Sequence, residues 1–294
     1  SAANVGFSFA VEERSDFGVI ATAKLPNKDM FIPSAAQFVC LWRYDENGNR
    51  IDNITDWALK QFKDHYKNAV TPAKAGVQRL SRTAEAEALD SRLRGNDEQK
   101  QGKRGSARSI TKEAIFHYVY AVLHDPVYRE KYAQNLKREF PRIPFYGNDH
   151  PDFWRWADWG RALMELHIGY EAVEPWPLAR TDILDEKARK NGAAPKAMLK
   201  ADKDSGRIVL DSETTLAGVP REAWEYKLGN RSALEWILDQ YKEKKPKDPT
   251  IREKFNTYRF ADYKDTVIDL LMRVTRVSVE TQAIVEAMRA APRA

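Results

Sequence analysis

The sequence predicts an α+β protein, with short strands near the N-terminus, helices in the middle and at the end, and further strands between them. Short β-branched and aromatic runs fill the region before residue 45, and apolar residues at helical spacing recur from residue 55 onward. A later pair of runs, RIVL and AWEYKL, again has the composition of strands. With 294 residues the chain is long enough to bury a sizeable core.

The first strands are predicted for the runs GFSFAV, GVIATAKL and FVCLWRY, which are rich in the residues that favour a pleated, half-buried surface. Asn47 and Gly48 follow them and form a strong hairpin-turn signal. A helix is then predicted from Thr55, whose hydroxyl can accept from a free amide of the first turn. Ile54 and Leu59 stand at the two positions of a hydrophobic staple, which supports the same helix start.

The stretch FHYVYAVLHDPVYREKY, residues 116–132, holds four tyrosines and two histidines. His117 and His124 are seven residues apart, about 10 Å along a helix, so one metal ion cannot bind both. The apolar residues recur at helical spacing, which predicts a helix that begins at Thr111 and turns at Asp125 into a second helix ending before Pro141. We expect the tyrosines to be packing residues with hydrogen-bonded hydroxyls.

A third helix is predicted for residues 151–170, where His167 is expected to be a hydrogen-bonded core residue. The polar, lysine-rich residues 179–207 predict a long loop. The two strand runs RIVL and AWEYKL follow, and a capping box formed by Ser232 and Glu235 opens a helix that ends near Tyr241. A last helical region carries an apolar stripe that includes Val267, Leu271 and Val274.

The net charge of +5 is concentrated in residues 71–108, which hold nine Lys and Arg against five Asp and Glu. That segment has no aromatic residue and predicts a mobile basic insert that interrupts a single domain spanning residues 1–294; a basic arm that binds phosphates is the alternative. Its ends resemble the translation of a dispersed bacterial repeat. The remaining 39 basic and 38 acidic residues nearly balance.

Composition also limits the class of protein. A single cysteine, Cys40, excludes an internal disulfide and a multi-cysteine metal cluster. The sequence lacks an apolar run of 18 residues and a positively led apolar leader, so we expect a cytoplasmic protein with no membrane contact. Because the chain begins at Ser1 and not at a methionine, we expect it to be a piece of a longer protein.

One catalytic pattern is present, in weak form. Asp211, Glu225 and Lys227 match the D…E-x-K arrangement in which two carboxylates hold a metal ion beside a lysine for phosphodiester cleavage. Glu225 and Lys227 would share one face of the strand predicted for AWEYKL. Charged residues that alternate with aromatic ones are also typical of any half-exposed strand, so a metal-dependent nuclease is the weaker alternative.

The stretches ITDWALKQFKDHY, ITKEAIFHYVYAVLHDPVYREKYAQNLKREFPRIPF, LMELHIGYE, VPREAWEYKLGNRSALEWILDQY and VSVETQAIV together resemble the C-terminal specificity domain of Type ISP restriction-modification enzymes. The resemblance covers most of residues 38–285, and its most specific parts are FHYVYAVLHDPVYREKY, LKREFPRIPF and GNRSALEWILDQY. It departs from the family pattern at the insert, which separates DHYK from ITKE.

The resemblance implies a target-recognition domain that stands last in a single polypeptide, after a nuclease, a helicase-like motor and an adenine-N6 methyltransferase. The implied partners are double-stranded DNA and the upstream methyltransferase and helicase domains. S-adenosylmethionine, ATP and Mg are implied for the upstream domains, and no cofactor or metal for this chain. The sequence agrees with this placement, because it has no N-P-P-Y motif, glycine-rich loop for S-adenosylmethionine or phosphate loop.

The side chains best suited to contact DNA are chosen by chemistry, since the family motif does not identify them. Arginine and asparagine make bidentate contacts to base edges, and lysine neutralises phosphates. The candidates are Arg138, Arg142, Asn230, Arg231, Lys242, Lys244, Lys245 and Lys247. The alternative function is a coupling module that docks on the methyltransferase without contacting bases, and exposed apolar patches would favour it.

Overall fold

The structure is a computed structural model that describes residues 4–11, 16–24, 26, 36–68, 108–192, 194–244, 247–250 and 258–293. The predicted insert therefore lies outside the described residues except for Arg108, and so does the candidate Lys245. The protein is a mixture of helices and antiparallel sheets, so the predicted α+β class is confirmed.

The strands are β1 Gly6–Ala10, β2 Val19–Thr22, β3 Ala36–Cys40, β4 Trp42–Tyr44, β5 Arg50–Asp52, β6 Ala179–Asp182, β7 Ala197–Asp202, β8 Arg207–Asp211, β9 Thr214–Ala217, β10 Lys227–Leu228 and β11 Arg231–Ser232. The helices are α1 Asp56–His65, α2 Lys112–Val122, α3 Pro126–Lys131, α4 Ala133–Leu136, α5 His150–Ile168, α6 Glu186–Lys190, α7 Arg221–Glu225, α8 Ala233–Gln240 and α9 Lys264–Ala290.

The chain divides into two compact units. The first unit comprises Ser1–Cys40, Leu123–Arg142 and Leu163–Ala291. The second unit comprises Leu41–Val122, Ile143–Ala162 and Pro292–Ala294.

A three-stranded antiparallel sheet of order β2-β1-β3 lies in the first unit. All five residues of the central strand β1 are buried, and the rings of Phe7 and Phe9 carry most of its apolar surface. On the opposite face the Ser8 hydroxyl donates to the carbonyl of Gln37, 3.0 Å away, which satisfies a polar group that burial would otherwise penalise. The strands predicted for this region are confirmed.

A second sheet of the first unit has four antiparallel strands in the order β6-β9-β8-β7. The prediction of a long loop for residues 179–207 is wrong, because β6, α6 and β7 all fall within it. β6 pairs with β9 and β7 with β8, so each strand obtains its hydrogen bonds from a partner further along the chain. The sequences of β6 and β7 are too polar to indicate that pairing, because only Leu199 and its neighbours face the core.

The core of the first unit lies between this sheet and three helices. Ile208, Leu210 and Leu216 of the sheet pack with Leu234 of α8 and Leu271 of α9. The side chains of these residues are excluded from water, and burial of each contributes about 1.5–3 kcal/mol. The helix α9 also contacts α7, which carries the buried Trp224.

The predicted strand AWEYKL is only partly correct. Its first half belongs to α7, which ends at Glu225, and only Lys227 and Leu228 form a strand. Pro220 is the N-cap of α7, with φ −63° and ψ 150° and no side-chain cap hydrogen bond. The alternation of large and charged side chains therefore reflects a short helical turn followed by an extended pair.

The end of the predicted helical hairpin also differs from expectation. α3 ends at Lys131, Tyr132 leaves helical geometry with φ −109° and ψ 20°, and α4 ends at Leu136. The second helix therefore does not continue to Pro141 as predicted, and Phe140 is exposed. Its ring instead makes an edge contact with Phe9 at a centroid distance of 5.8 Å.

In the second unit, α2 packs closely on α5 because Gly160 has no side chain. A Cβ at this position would stand 1.8 Å from the carbonyl oxygen of His117. The Tyr118 hydroxyl donates to the carbonyl of Pro144 and accepts from the amide of Tyr146. Tyr118 is therefore a packing residue with a hydrogen-bonded hydroxyl, as predicted.

Helix starts are the best predicted local features. Thr55 accepts from the amide of Ala58 in α1, and Thr111 accepts from the amide of Ala114 in α2. Ser232 and Glu235 form the predicted capping box at the start of α8. Each cap is formed within four residues of sequence, which explains why it can be recognised without tertiary information.

Candidate functional site

The turn between β10 and β11 carries two of the candidate residues, Asn230 and Arg231. Gly229 adopts φ +69° there, a conformation that glycine takes without strain, and it lets two-residue strands form a tight hairpin. Both side chains are exposed. The hairpin leads directly into α8 through the Ser232 cap, so the turn is fixed to a helix that packs in the core.

Arg231 and Lys242 come together on a single carboxylate. The Arg231 Nη1 lies 3.0 Å from Oδ2 of Asp239, and the Lys242 Nζ lies 3.3 Å from Oδ1. Asp239 stands near the end of α8. It lies between Arg231, which precedes the helix, and Lys242, which follows it. The two cations hold the pKa of Asp239 below its ordinary value, with the Lys242 hydrogen bond as the largest cause.

Trp236 of α8 contacts the same turn. Its indole Nε1 donates to the carbonyl of Leu228, 2.9 Å away, and the Arg231 guanidinium lies over the ring at 5.3 Å from the centroid. The ring therefore contacts the hairpin at two points, and a cation over an indole face is attracted to it. Trp236 was not among the sequence candidates, although its position four residues after Ser232 places it on the helix face beside the turn.

The remaining candidates of this region form a lysine-rich segment after α8. Lys242, Lys244 and Lys247 are exposed. Their position suits contacts with phosphates, which require charge and access but no fixed geometry.

Arg138 and Arg142 lie after α4 and are both exposed. The Arg142 Nη2 lies 2.9 Å from Oε2 of Glu139, but its side chain remains 89 % exposed. The carbonyl of Arg142 accepts from the buried Tyr128 hydroxyl, which fixes the backbone of this segment. The side chain of Arg142 is therefore held at the surface by an anchored main chain.

Asp16 of the first unit contacts both the β10-β11 turn and the segment after α4. Its amide donates to Oδ1 of Asn230 at 3.0 Å, and its carboxylate lies 3.7 Å from the Lys137 Nζ. Lys137 is the residue before Arg138. The structure therefore brings the segment after α4 close to the β10-β11 turn, although about 90 residues of sequence separate them.

A groove of about 460 Å³ runs beside this junction. Its lining is mixed in charge, with the cations Arg129, Lys137, Lys227 and Arg289 and the acids Asp16, Glu130, Glu225 and Glu286. The aromatic rings of Phe17 and Tyr226 complete the wall. None of these basic residues was predicted as a DNA contact, because they come from separate segments that only the fold brings together; Lys227 was named only in the nuclease alternative.

The buried histidine beside Tyr226 is a structural residue. His167 is buried, its Nε2 lies 3.0 Å from the Thr281 hydroxyl, and its ring stacks on Tyr226 at 5.2 Å. Burial lowers the pKa of His167 to about 3. The imidazole is therefore neutral at physiological pH, and the predicted role of His167 as a hydrogen-bonded core residue is confirmed.

The geometry does not support the nuclease hypothesis. The Asp211 carboxylate is 3 % exposed, pairs with Lys264 at 2.7 Å, and accepts from the amides of Glu213 and Thr214. These contacts occupy the oxygens that a metal ion would need. Glu225 ends α7 and does not share a strand face with Lys227, so the arrangement expected from the sequence is absent.

Among the residues that the structure describes, no group of three or more His, Cys, Asp or Glu side chains could hold a metal ion. None of the helices described is both long enough and apolar enough to cross a membrane.

Comparison with solved structures finds the cryoEM structure of a DrdV–DNA complex, with 48 % identity and a TM-score of 0.78 over 98 % of this chain and 25 % of that one. A nuclease-deletion mutant of the Type ISP restriction-modification enzyme LlaGI, in complex with a DNA substrate mimic, matches with 22 % identity and a TM-score of 0.60, over 97 % of this chain and 21 % of that one.

The ATP-dependent Type ISP restriction-modification enzyme LlaBIII bound to DNA matches with 19 % identity and a TM-score of 0.60, over 100 % of this chain and 16 % of that one. The chain thus spans about a quarter or less of the length of the solved relatives it matches. No curated protein matches it. The family model of the Type ISP C-terminal specificity domain matches residues 1–270, and the chain belongs to that family.

Proposed function

We propose that this chain is the sequence-specific double-stranded DNA recognition module of a single-chain restriction-modification enzyme. The observation that carries the proposal is the 48 % identity to DrdV, which was solved as a complex with DNA, over nearly the whole of this chain. The exposed Asn230 and Arg231 turn adds the donors and acceptors that base recognition needs.

The recognition surface is the set of exposed candidates on the first unit. Asn230 and Arg231 on the β10-β11 turn contact base edges, and the lysines that follow α8 contact phosphates. Arg138 and Arg142 extend the cationic surface after α4. The geometry supports this division of roles, because the turn is anchored by Asp16 and Trp236, whereas a lysine needs no such anchor to neutralise a phosphate.

Catalysis belongs to the rest of the polypeptide in this proposal. The chain directs adenine-N6 methylation and cleavage carried out by upstream methyltransferase, helicase and nuclease domains, with S-adenosylmethionine, ATP and Mg as their cofactors. The chain covers about a quarter of the length of DrdV, which supports a modular role. Such an enzyme acts on DNA in the bacterial cytoplasm.

The experiment is a selection from a random-sequence duplex library by the full 294-residue chain. Bound duplexes are recovered, amplified and sequenced over successive rounds, with a parallel selection that contains no protein. A single enriched motif is expected. Recovery of bound DNA without an enriched motif would show a non-specific binder and would contradict the proposal.

A coupling module remains the second candidate, and exposed apolar side chains favour it. Ile183 and Leu184, in the turn after β6 of the first unit, are 73 % and 54 % exposed. On the second unit, Trp57 of α1 is 71 % exposed. Exposed apolar groups of this size are typical of protein contacts. Ile183→Ser with Leu184→Ser separates the two functions: a coupling role predicts unchanged duplex selection and slower methylation by the intact enzyme.

A further inference from the structure

The carboxylate of Asp239 sits between two cations of the proposed recognition surface. We infer that Asp239 is a positioning residue for target recognition, which orients Arg231 toward a base edge and weakens the binding of duplexes that lack the target sequence. The inference rests on the proposed function and assigns a specificity-determining role to an acidic residue that contacts no DNA in this account.

Orientation follows from the contacts of the Arg231 guanidinium. Its Nη1 donates to Oδ2 of Asp239 at 3.0 Å, and its central carbon lies over the ring of Trp236 at 5.3 Å from the centroid. A guanidinium has five N–H donors in a rigid fork, and the pair with Asp239 occupies one of them. The pair biases the direction of the other donors, which can form the bidentate contact that distinguishes guanine from other bases.

The discrimination between target and other duplexes follows from the negative charge of Asp239. Phosphates attract Arg231 and Lys242 on any duplex, whatever its sequence. A carboxylate about 3 Å from both cations offsets part of that attraction and repels the phosphate itself. The phosphates of a duplex without the target base must compete with Asp239 for Arg231 and Lys242. Such a duplex gains no oriented base contact in return.

The ion pairs are weak enough to permit binding. The side chains of Arg231, Lys242 and Asp239 are 48 %, 50 % and 41 % exposed, so water and salt screen their attraction. The Lys242 and Arg231 contacts lower the pKa of Asp239, which keeps the carboxylate ionised at neutral pH. Asp239 can therefore bias the cations without locking them.

The test is Asp239→Asn in the full chain, which retains shape and removes the charge. Dissociation constants are measured for the duplex selected by the wild type and for a scrambled duplex of the same composition, at several salt concentrations. We expect several-fold tighter binding of the scrambled duplex and an approximately tenfold loss in the ratio of the two affinities, about the effect of one mismatched base pair. The salt dependence on the scrambled duplex should steepen by up to about 0.9 in log–log slope for each new phosphate contact.

Asp269→Asn is the matched control. Asp269 pairs with Arg273 at 2.6 Å on α9, and its replacement by asparagine makes the same change in net charge as Asp239→Asn. Its affinity ratio should equal that of the wild type, and Asp239→Glu should restore much of the ratio lost in Asp239→Asn.

The outcomes separate the inference from the proposed function. An unchanged ratio in Asp239→Asn, or an equal loss of affinity for both duplexes, would overturn the role of Asp239, since partial unfolding weakens binding and does not strengthen it. The same loss of ratio in Asp269→Asn would also overturn it, because net charge alone would then explain the effect. A wild-type chain that binds both duplexes equally would instead overturn the proposed function.

Discussion

The main-chain amide of Asp16 donates a hydrogen bond to the side-chain oxygen of Asn230, 3.0 Å away and 214 residues later in the chain. The bond uses the oxygen of the Asn230 amide and not its NH₂ group, and the side chain is exposed. One residue thus anchors the β10-β11 turn and offers donors for a base or phosphate.

Two substitutions at Asn230 separate these roles. Asn230→Ala removes the acceptor and should lower the free energy of unfolding by about 0.5–1.5 kcal/mol. Asn230→Asp keeps an acceptor for Asp16 but loses the donors and adds a negative charge, so stability should stay near that of the wild type while duplex affinity falls. Urea denaturation and binding titrations measure the two effects. Equal destabilisation by both variants, or full affinity in Asn230→Asp, would refute this division.

Asp211 is predicted to be a structural residue and not a metal ligand. Asp211→Ala leaves the Lys264 side chain, only 17 % exposed, without its carboxylate and should cost about 3–5 kcal/mol of stability. Glu225→Ala, at an exposed position, should change stability by no more than about 0.5 kcal/mol. Thermal melting compares the two. A stable Asp211→Ala variant that abolished metal-dependent cleavage by the intact enzyme would instead support the nuclease hypothesis.

The pH dependence of stability should report His167. Burial, followed by the charge of Arg129, lowers its pKa from 6.5 to about 3, so the folded state resists a proton that the unfolded state accepts. Well above pH 6.5 the His167 imidazole is neutral in both the folded and the unfolded state. The stability of the fold is lost as the pH falls through 6.5 toward 3. The loss attributable to this group approaches about 1.4 kcal/mol per pH unit below pH 5.5.

His167→Gln tests that assignment. Urea midpoints measured from pH 7 to pH 5 should show a shallower decline in the variant, even if its stability at pH 7 is reduced by the loss of packing. His117, whose pKa burial lowers to about 4, should leave a residual decline of the same sign. A variant with the slope of the wild type would mean that His167 does not resist protonation.

The parts of the fold that the sequence predicts are those that local contacts determine. The caps at Thr55 and Ser232 each depend on residues within one helical turn, and both form as expected. The β6 strand was missed because ARTD carries no apolar pattern, and its pairing with β9 supplies the order that its own residues do not. The α7 helix was mistaken for a strand because five residues are too few to distinguish helical from alternating periodicity.

The candidate site was predicted by residue chemistry but not by arrangement. Arg231 and Lys242 were named separately, whereas their shared partner Asp239 becomes visible only when α8 places it between them. Asp16 lies more than 200 residues from the turn it anchors, and no local pattern marks it. A DNA-binding surface is usually expected to be basic. Composition alone would therefore have excluded the acidic Asp239 as a site residue.

The roles of Arg231 and Lys244 provide the sharpest division within the proposed surface. Lys244→Ala should weaken binding to all duplexes about equally and reduce the salt dependence by about 0.9 in log–log slope, because a lysine–phosphate contact carries no base information. Arg231→Ala should reduce discrimination between duplexes, because a bidentate arginine contributes roughly 1–3 kcal/mol of preference for its base. Arg155→Ala, another half-exposed arginine in an acid pair, is the control that should change neither property.

The most direct test of the central claim is the ratio of dissociation constants for a scrambled and a selected duplex, measured side by side for the wild-type chain and for Arg231→Ala. If Arg231 contacts a base edge, the ratio is large for the wild type and falls by about 5- to 150-fold in the variant, the equivalent of 1–3 kcal/mol. A ratio near one for the wild type, or an undiminished ratio in Arg231→Ala, would contradict a base-contacting surface at this turn.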